Sequence, residues 1–130
     1  MNKKLQLIVS VGVVLVFVVG IAIISNSKKV NKATAVNLDN FAKCISDSGA
    51  KFYGAFWCSH CQAQKKEFGS AEKYLPYVEC STKDAKSQTQ ICKDKKVEAY
   101  PTWIFSDGTK KIGEMSLADL ATKTQCKLPN

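Results

Sequence analysis

The first pattern along the chain is a long apolar run close to its N-terminus. Residues 5–24 are almost all strongly apolar and contain no charged residue. About twenty residues in a helix rise about 30 Å, the thickness of the hydrocarbon core of a bilayer, whereas the apolar part of a cleavable signal peptide has about 7–15 residues. We therefore predict a cytoplasmic N-terminus at residues 1–4, a transmembrane anchor at residues 5–25 and a polar tether at residues 26–36. Cleavage after Ser27 is the alternative.

From residue 37 onward, short apolar segments alternate with amphipathic ones. The predicted elements are a helix over residues 38–48 with Asn37 as its cap, a strand at 51–56, a helix at 58–68, a strand at 77–80, a short helix at 87–95, a strand at 102–105, its hairpin partner at 110–114, and a helix from the Ser116/Asp119 capping box to 126. This alternation predicts an α/β sandwich over residues 37–130, in which a central mixed sheet carries helices on both faces.

The charge of the chain narrows the range of partners. The formal net charge is +8, and all 19 basic residues are lysines. Arginine, the commonest bidentate reader of guanine, does not occur, so we predict no nucleic-acid partner. Lysines lie on both sides of the apolar run, which leaves the positive-inside rule nearly balanced.

The cysteines decide the compartment. The chain contains 6 cysteines, and every one of them follows the apolar run. An even number at this density is typical of an oxidising compartment. We therefore predict a single-pass protein of the cell membrane whose C-terminal domain is extracytoplasmic. A cytosolic domain with reduced thiols is the alternative.

The candidate chemistry lies in a CxxC motif, Cys58-Ser59-His60-Cys61, which follows a predicted strand and opens a predicted helix. Free N–H groups and the macrodipole at a helix N-terminus stabilise a thiolate and lower the pKa of a thiol. We expect Cys58 to be exposed and Cys61 to be shielded one turn deeper, which is the asymmetry that thiol–disulfide exchange requires. His60 would add a donor beside the outer sulfur and make the disulfide more oxidising.

Two other interpretations of the motif remain open, a purely structural disulfide and half of a zinc site. Zinc would need further ligands, and the only histidine lies between the two cysteines, so we predict no bound metal. Pro101 stands at the start of a predicted strand, where proline is tolerated. Alternatively, a cis bond before Pro101 would set the backbone of Tyr100 beside Cys58, where it could pair with an extended substrate. Trp57 and Tyr100 would line an apolar patch there.

Three segments together, residues 52–61, 77–80 and 100–103, resemble the thioredoxin superfamily. More narrowly, they are similar to the thioredoxin-like domain fused to bacterial vitamin K epoxide reductase homologues. The resemblance implies a thioredoxin fold, with Cys58 as nucleophile, Cys61 as resolving thiol and Pro101 as the cis-proline. It also implies that the protein oxidises cysteines of exported polypeptides without a further cofactor. A separate membrane quinone reductase of the vitamin K epoxide reductase type would then receive the electrons.

The same resemblance implies a second disulfide, Cys80–Cys92, although a redox relay through these two residues is the alternative. A third bridge, Cys44–Cys126, is plausible if the first and last helices of the sandwich meet. Ser59 stands where strongly oxidising relatives often have proline, which leaves the reduction potential open. Phe52 stands where many thioredoxins have a buried acid. The competing functions are a thiol reductase or isomerase, and a non-catalytic metal-binding or structural module.

Overall fold

The computed structural model describes residue 2 and residues 37–129. The predicted anchor and tether lie outside these residues. Among the described residues, none of the helices combines the length and the apolar character needed to cross a membrane.

The order of the predicted elements is confirmed. The elements are α1 (Asp39–Asp47), β1 (Lys51–Gly54), α2 (Ser59–Glu67), a 3-10 helix (Gly69–Tyr74), β2 (Tyr77–Glu79), α3 (Gln90–Asp94), β3 (Thr102–Ile104), β4 (Lys110–Ile112) and α4 (Leu117–Thr124). The 3-10 helix has no counterpart in the sequence prediction. Helix α3 begins later than predicted because Gln88 forms an antiparallel bridge with Ser81 and Thr89 is the N-cap.

The four strands form one mixed sheet in the order β2-β1-β3-β4. Strand β1 is parallel to β2 and antiparallel to β3, and β4 closes the sheet as the hairpin partner of β3. In this register Phe52 lies opposite both Tyr77 and Trp103. The sheet therefore places the end of β1, which leads into the CxxC motif, between two hydrogen-bonded neighbours.

Side-chain alternation along β1 separates the two faces of the sheet. Phe52 stacks on Trp103 with ring centroids 4.7 Å apart, in the larger core cluster that also receives residues of α1, α2 and α4. Tyr53 belongs to the smaller cluster, together with Cys92 of α3 and Val97. Helices thus cover both faces of the sheet. The helix that carries the CxxC motif packs on the face with the larger core cluster.

Helix α2 is held against the sheet by the buried side chain of Gln64. The amide of Gln64 accepts a hydrogen bond from the Met115 N–H at 2.7 Å and donates to the Met115 carbonyl at 3.0 Å. The indole N–H of Trp103 also donates to Gln64, at 3.3 Å. Because buried polar groups require partners, this network fixes α2 against β3 and the segment before α4.

Candidate active site

Cys58 is the N-cap residue of α2. Its backbone is extended, with φ −77° and ψ 117°, and its N–H donates to the Ala55 carbonyl at 3.0 Å. The Cys58 sulfur accepts the Cys61 N–H at 3.4 Å, one of the donors that the first helical turn leaves unpaired. The sulfur is therefore positioned at the N-terminus of the helix, the positive end of its macrodipole.

Cys61 lies one turn further along α2 and is 1% exposed. Burial, followed by the hydrogen bond with Cys58, raises the pKa of the Cys61 thiol to about 12. Cys61 therefore remains a protonated thiol near neutral pH.

The prediction that Cys58 is exposed is wrong, because its exposed fraction is 8%. The Tyr100 carbonyl oxygen lies 3.7 Å from its sulfur, and the side chain of the neighbouring Pro101 is fully buried. The turn that contains these two residues thus lies against the sulfur. Thiol–disulfide exchange at Cys58 requires an approach along the remaining open side.

The raised pKa of Cys61 predicts a loss of stability at alkaline pH. Between about pH 9 and pH 12, the unfolded chain releases the Cys61 proton while the folded dithiol form keeps it. The contribution of the protonated Cys61 thiol to the free energy of unfolding is therefore complete below pH 9 and is lost as the pH rises towards 12. Urea unfolding of the reduced chain should show a steeper decline above pH 9 than unfolding of reduced Cys61→Ala. Parallel declines of the two proteins would contradict this prediction.

Gly54, the last residue of β1, makes room for the Cys61 sulfur. A Cβ atom at this position would lie 2.8 Å from Cys61 Sγ and 2.9 Å from Cε2 of Tyr77. Both distances are shorter than carbon atoms in folded proteins tolerate. The sulfur and the edge of the Tyr77 ring therefore pack directly over the glycine.

We expect Gly54→Ala to destabilise the domain by about 1–3 kcal/mol, the usual cost of overpacking a core. The backbone of Gly54 does not have a positive φ, so the effect comes from the added methyl group. The double variant Gly54→Ala/Cys61→Ala removes the nearest contact and should recover part of the loss relative to Cys61→Ala alone. Thermal unfolding measures both differences, and strictly additive effects would argue against this packing.

The turn beside the pair contains a cis peptide bond between Tyr100 and Pro101. The Pro101 carbonyl accepts the Gly113 N–H at 2.8 Å, whereas the Tyr100 carbonyl faces the Cys58 thiol. Within the described residues, the Tyr100 carbonyl has no backbone partner. The Cys58 thiol is therefore the group that the Tyr100 carbonyl faces.

Two aromatic side chains lie exposed next to Cys58, with 47% of Phe56 and 53% of Trp57 accessible. The Trp57 ring packs edge-on against Tyr100 at 5.9 Å, and its indole N–H donates to the Ser81 hydroxyl at 2.9 Å. The structure thus brings Trp57, Tyr100 and Pro101 close to Cys58. The exposed ring of Trp57 forms an apolar surface beside the sulfur.

A carboxylate that the sequence analysis missed organises the loop before Cys58. Glu79, at the end of β2, accepts the Phe56 N–H at 3.2 Å, the Ser81 N–H at 2.8 Å and the Tyr77 hydroxyl at 2.8 Å. Burial, and then this hydrogen bond, raise the pKa of Tyr77. The signal in the sequence was an acid at the end of an apolar strand, in Tyr77-Val78-Glu79.

Among the described residues, no hydrogen bond joins His60 to Cys58. Its Nδ1 lies 2.6 Å from Oε1 of Glu114, and its side chain is 71% exposed. A catalytic contribution of His60 stays a prediction.

The other four cysteines are paired in two disulfides. Cys44 of α1 joins Cys126, just beyond α4, and Cys80, just after β2, joins Cys92 of α3. Cys58 and Cys61 are both free thiols. Over residues 37–129, no group of three or more histidine, cysteine or acidic side chains converges as a metal site would require.

A mixed four-stranded sheet, a CxxC pair at a helix N-terminus and a cis-proline turn beside it define a thioredoxin-like domain. The sequence model of the family described as Thioredoxin matches residues 25–126. The chain belongs to the thioredoxin family.

Similar proteins include thiol-disulfide oxidoreductase LTO1 of Arabidopsis thaliana, 49% identical over 87 residues, which cover 64% of this chain and 23% of that protein. Thioredoxin domain-containing protein 5 homolog of Drosophila melanogaster is 36% identical over 99 residues, which cover 72% of this chain and 24% of that protein. The chain thus spans about a quarter of the length of either relative. The crystal structure of oxidised mitochondrial thioredoxin 3 from Saccharomyces cerevisiae aligns with 24% identity and a TM-score of 0.37, covering 69% of this chain and 90% of that one.

Proposed function

We propose that this chain is a membrane-anchored, extracytoplasmic thiol–disulfide oxidoreductase that oxidises cysteines of exported polypeptides. The observation that carries the proposal is the contrast between the two thiols. Cys58 caps a helix and faces the Tyr100 carbonyl, whereas Cys61 is buried and its pKa is raised to about 12. The name of the Arabidopsis relative, a thiol-disulfide oxidoreductase, supports the same class of reaction.

In the proposed direction, the reaction begins from a Cys58–Cys61 disulfide. A substrate thiolate attacks the Cys58 sulfur, the Cys58–Cys61 bond breaks, and Cys61 leaves with the electron pair and takes up a proton. A second substrate thiolate attacks the substrate sulfur of the mixed disulfide and releases Cys58 as a thiolate. The helix N-terminus stabilises this leaving group. The substrate is oxidised by two electrons, which remain on the enzyme dithiol.

The surroundings of Cys58 suit an unfolded polypeptide as substrate. The Tyr100 carbonyl offers a backbone acceptor 3.7 Å from the sulfur, and the exposed rings of Phe56 and Trp57 offer apolar contact without fixed sequence requirements. A chain that is still unfolded exposes both the peptide groups and the apolar side chains that such a surface binds.

Reoxidation of the dithiol requires an electron acceptor. We propose a membrane quinone reductase of the vitamin K epoxide reductase type, which the anchor at residues 5–25 would keep in the same membrane. The extracytoplasmic location is supported by two disulfides within a domain of this size, because such bonds persist in oxidising compartments.

A second candidate is the reverse electron flow, in which the protein acts as a thiol reductase or isomerase. One contact favours it, because His60 is bound to Glu114 and no hydrogen bond between His60 and the Cys58 sulfur is found in the described residues. The group expected to make the disulfide more oxidising is thus engaged elsewhere.

The reduction potential separates the two directions. We expect the full chain, equilibrated with glutathione redox buffers, to have a potential closer to about −120 mV than to about −270 mV, the values of a strong oxidant and of a reducing thioredoxin. A value near −270 mV would favour the reductase. A membrane-impermeant thiol reagent applied to intact cells should label Cys58 after reduction, and protection until lysis would contradict the extracytoplasmic location.

A further inference from the structure

We propose that Glu114 sets the reduction potential of the Cys58–Cys61 pair by holding the His60 imidazole away from the Cys58 sulfur. The inference rests on the proposed redox function and adds to it a residue that determines the strength of the oxidant. Glu114 acts through His60 and is therefore a positioning residue.

The contact between the side chains of His60 and Glu114 occupies a hydrogen-bond donor of the imidazole. His60 Nδ1 lies 2.6 Å from Glu114 Oε1, and the two residues are 54 positions apart in the sequence. An ionised carboxylate only accepts hydrogen bonds, so Nδ1 carries the shared proton in either protonation state of the ring. The same N–H group is unable to serve the Cys58 sulfur while it is bound to Glu114.

The backbone around Glu114 is fixed on both sides. Gly113 has a φ of +94°, which suits glycine, and its N–H donates to the Pro101 carbonyl at 2.8 Å. The backbone of Met115 is held at both its N–H and its carbonyl by the buried side chain of Gln64. Glu114 thus lies between two residues whose backbones are hydrogen-bonded to the rest of the domain, within reach of the first turn of α2.

The electrostatic surroundings of Glu114 favour a cationic partner. Partial desolvation, and then the charge of Glu114, raise the pKa of Glu67, so two carboxyl groups lie close together on this side of α2. The hydrogen bond from His60 Nδ1 gives Glu114, one of these two carboxyl groups, a partner. The neighbourhood therefore retains the imidazole at Glu114.

The sign of the effect follows from which redox form His60 would stabilise. A cation or a donor near Cys58 stabilises the thiolate of the reduced form and raises the reduction potential. Glu114 occupies the Nδ1 donor of His60, so this donor is not available to the Cys58 sulfur. The potential of this chain is consequently lower than the His60-containing motif alone would give, and loss of the carboxylate raises it.

The test is a double-mutant cycle on the full chain, with the equilibrium constant against glutathione as the readout. Glu114→Ala, which removes the acceptor as well as the charge, should shift the equilibrium towards the dithiol by about threefold, within the range that exposed ion pairs reach. In the His60→Ala background, Glu114→Ala should leave the equilibrium unchanged. Glu72→Ala, at an exposed acid of the 3-10 helix, removes the same charge and should also leave it unchanged.

Two results would overturn the inference. The first is an equilibrium constant that Glu114→Ala does not change. The second is an equal shift with and without His60, which would mean that the carboxylate acts on the thiols directly. Neither result depends on whether the parent potential is that of an oxidase or a reductase, so failure here is distinguishable from failure of the proposed function.

Discussion

Replacing Cys61 with serine is expected to leave the reduced chain covalently joined, through Cys58, to a polypeptide that is supplied as a disulfide, because Cys58 attacks that disulfide and displaces its second sulfur as a thiolate. The Cys58 sulfur is the one that faces the Tyr100 carbonyl and the exposed ring of Trp57, so it forms the mixed disulfide. The residue that would break this bond from within the protein is buried one helical turn away. Without it, turnover of a disulfide substrate should fall on the order of a thousandfold or more, as when one member of a catalytic unit is removed.

The trapped species can be counted on non-reducing gels and assigned by mass spectrometry. The matched variant Cys58→Ser keeps the Cys61 thiol but leaves it buried, and burial is the largest cause of its raised pKa. We therefore expect no mixed disulfide from Cys58→Ser. Efficient trapping through Cys61 in that variant would show that the roles of the two sulfurs have been exchanged.

Removing the disulfide between α1 and the end of α4 is expected to be the more damaging of the two cysteine-pair deletions. Cys44 and Cys126 are separated by 82 positions, whereas Cys80 and Cys92 are separated by 12. The chain-entropy relation gives a loss of about 4.5 kcal/mol for the long loop and about 3 kcal/mol for the short one. Because small domains are stable by only about 5–15 kcal/mol, either loss is a large part of the total.

Urea unfolding of the double alanine variants measures both losses under conditions that keep the remaining disulfide intact. The comparison between the variants is informative because each removes one bridge and two sulfur atoms. A greater loss from Cys80→Ala/Cys92→Ala than from Cys44→Ala/Cys126→Ala would contradict loop closure as the dominant cause. In that case the attachment of Ser81, which holds the Trp57 indole, would be the better explanation.

Features governed by neighbours in the sequence were predictable. Ser116 accepts the Asp119 N–H at 3.1 Å, as expected of a residue that begins a helix. The predicted cap Asn37 accepts the Asp39 N–H at 2.8 Å, but the N-cap of α1 is Leu38, one residue later. The placement of Cys58 at the start of α2 follows from the same local rules. Alternating strands and helices were sufficient to indicate the α/β class.

Features that depend on distant residues were missed. Glu79 reaches Phe56 across 23 positions, and His60 reaches Glu114 across 54. Sequence adjacency placed His60 beside the Cys58 sulfur, but a side chain on the first turn of a helix can turn towards a neighbouring loop. The burial of Cys58 likewise depends on the Tyr100–Pro101 turn, which only the folded sheet brings to it.

The decisive measurement is the alkylation rate of each cysteine in the reduced full chain, followed by mass spectrometry from pH 5 to pH 9. Cys58 and Cys61 are the free thiols in the structure. The reduction must therefore be mild enough to leave the other two disulfides closed. We expect iodoacetamide to modify Cys58 in the folded chain across this pH range, and to modify Cys61 only after the chain unfolds. Equal rates for the two thiols, or faster modification of Cys61, would contradict the assignment of Cys58 as the reactive sulfur.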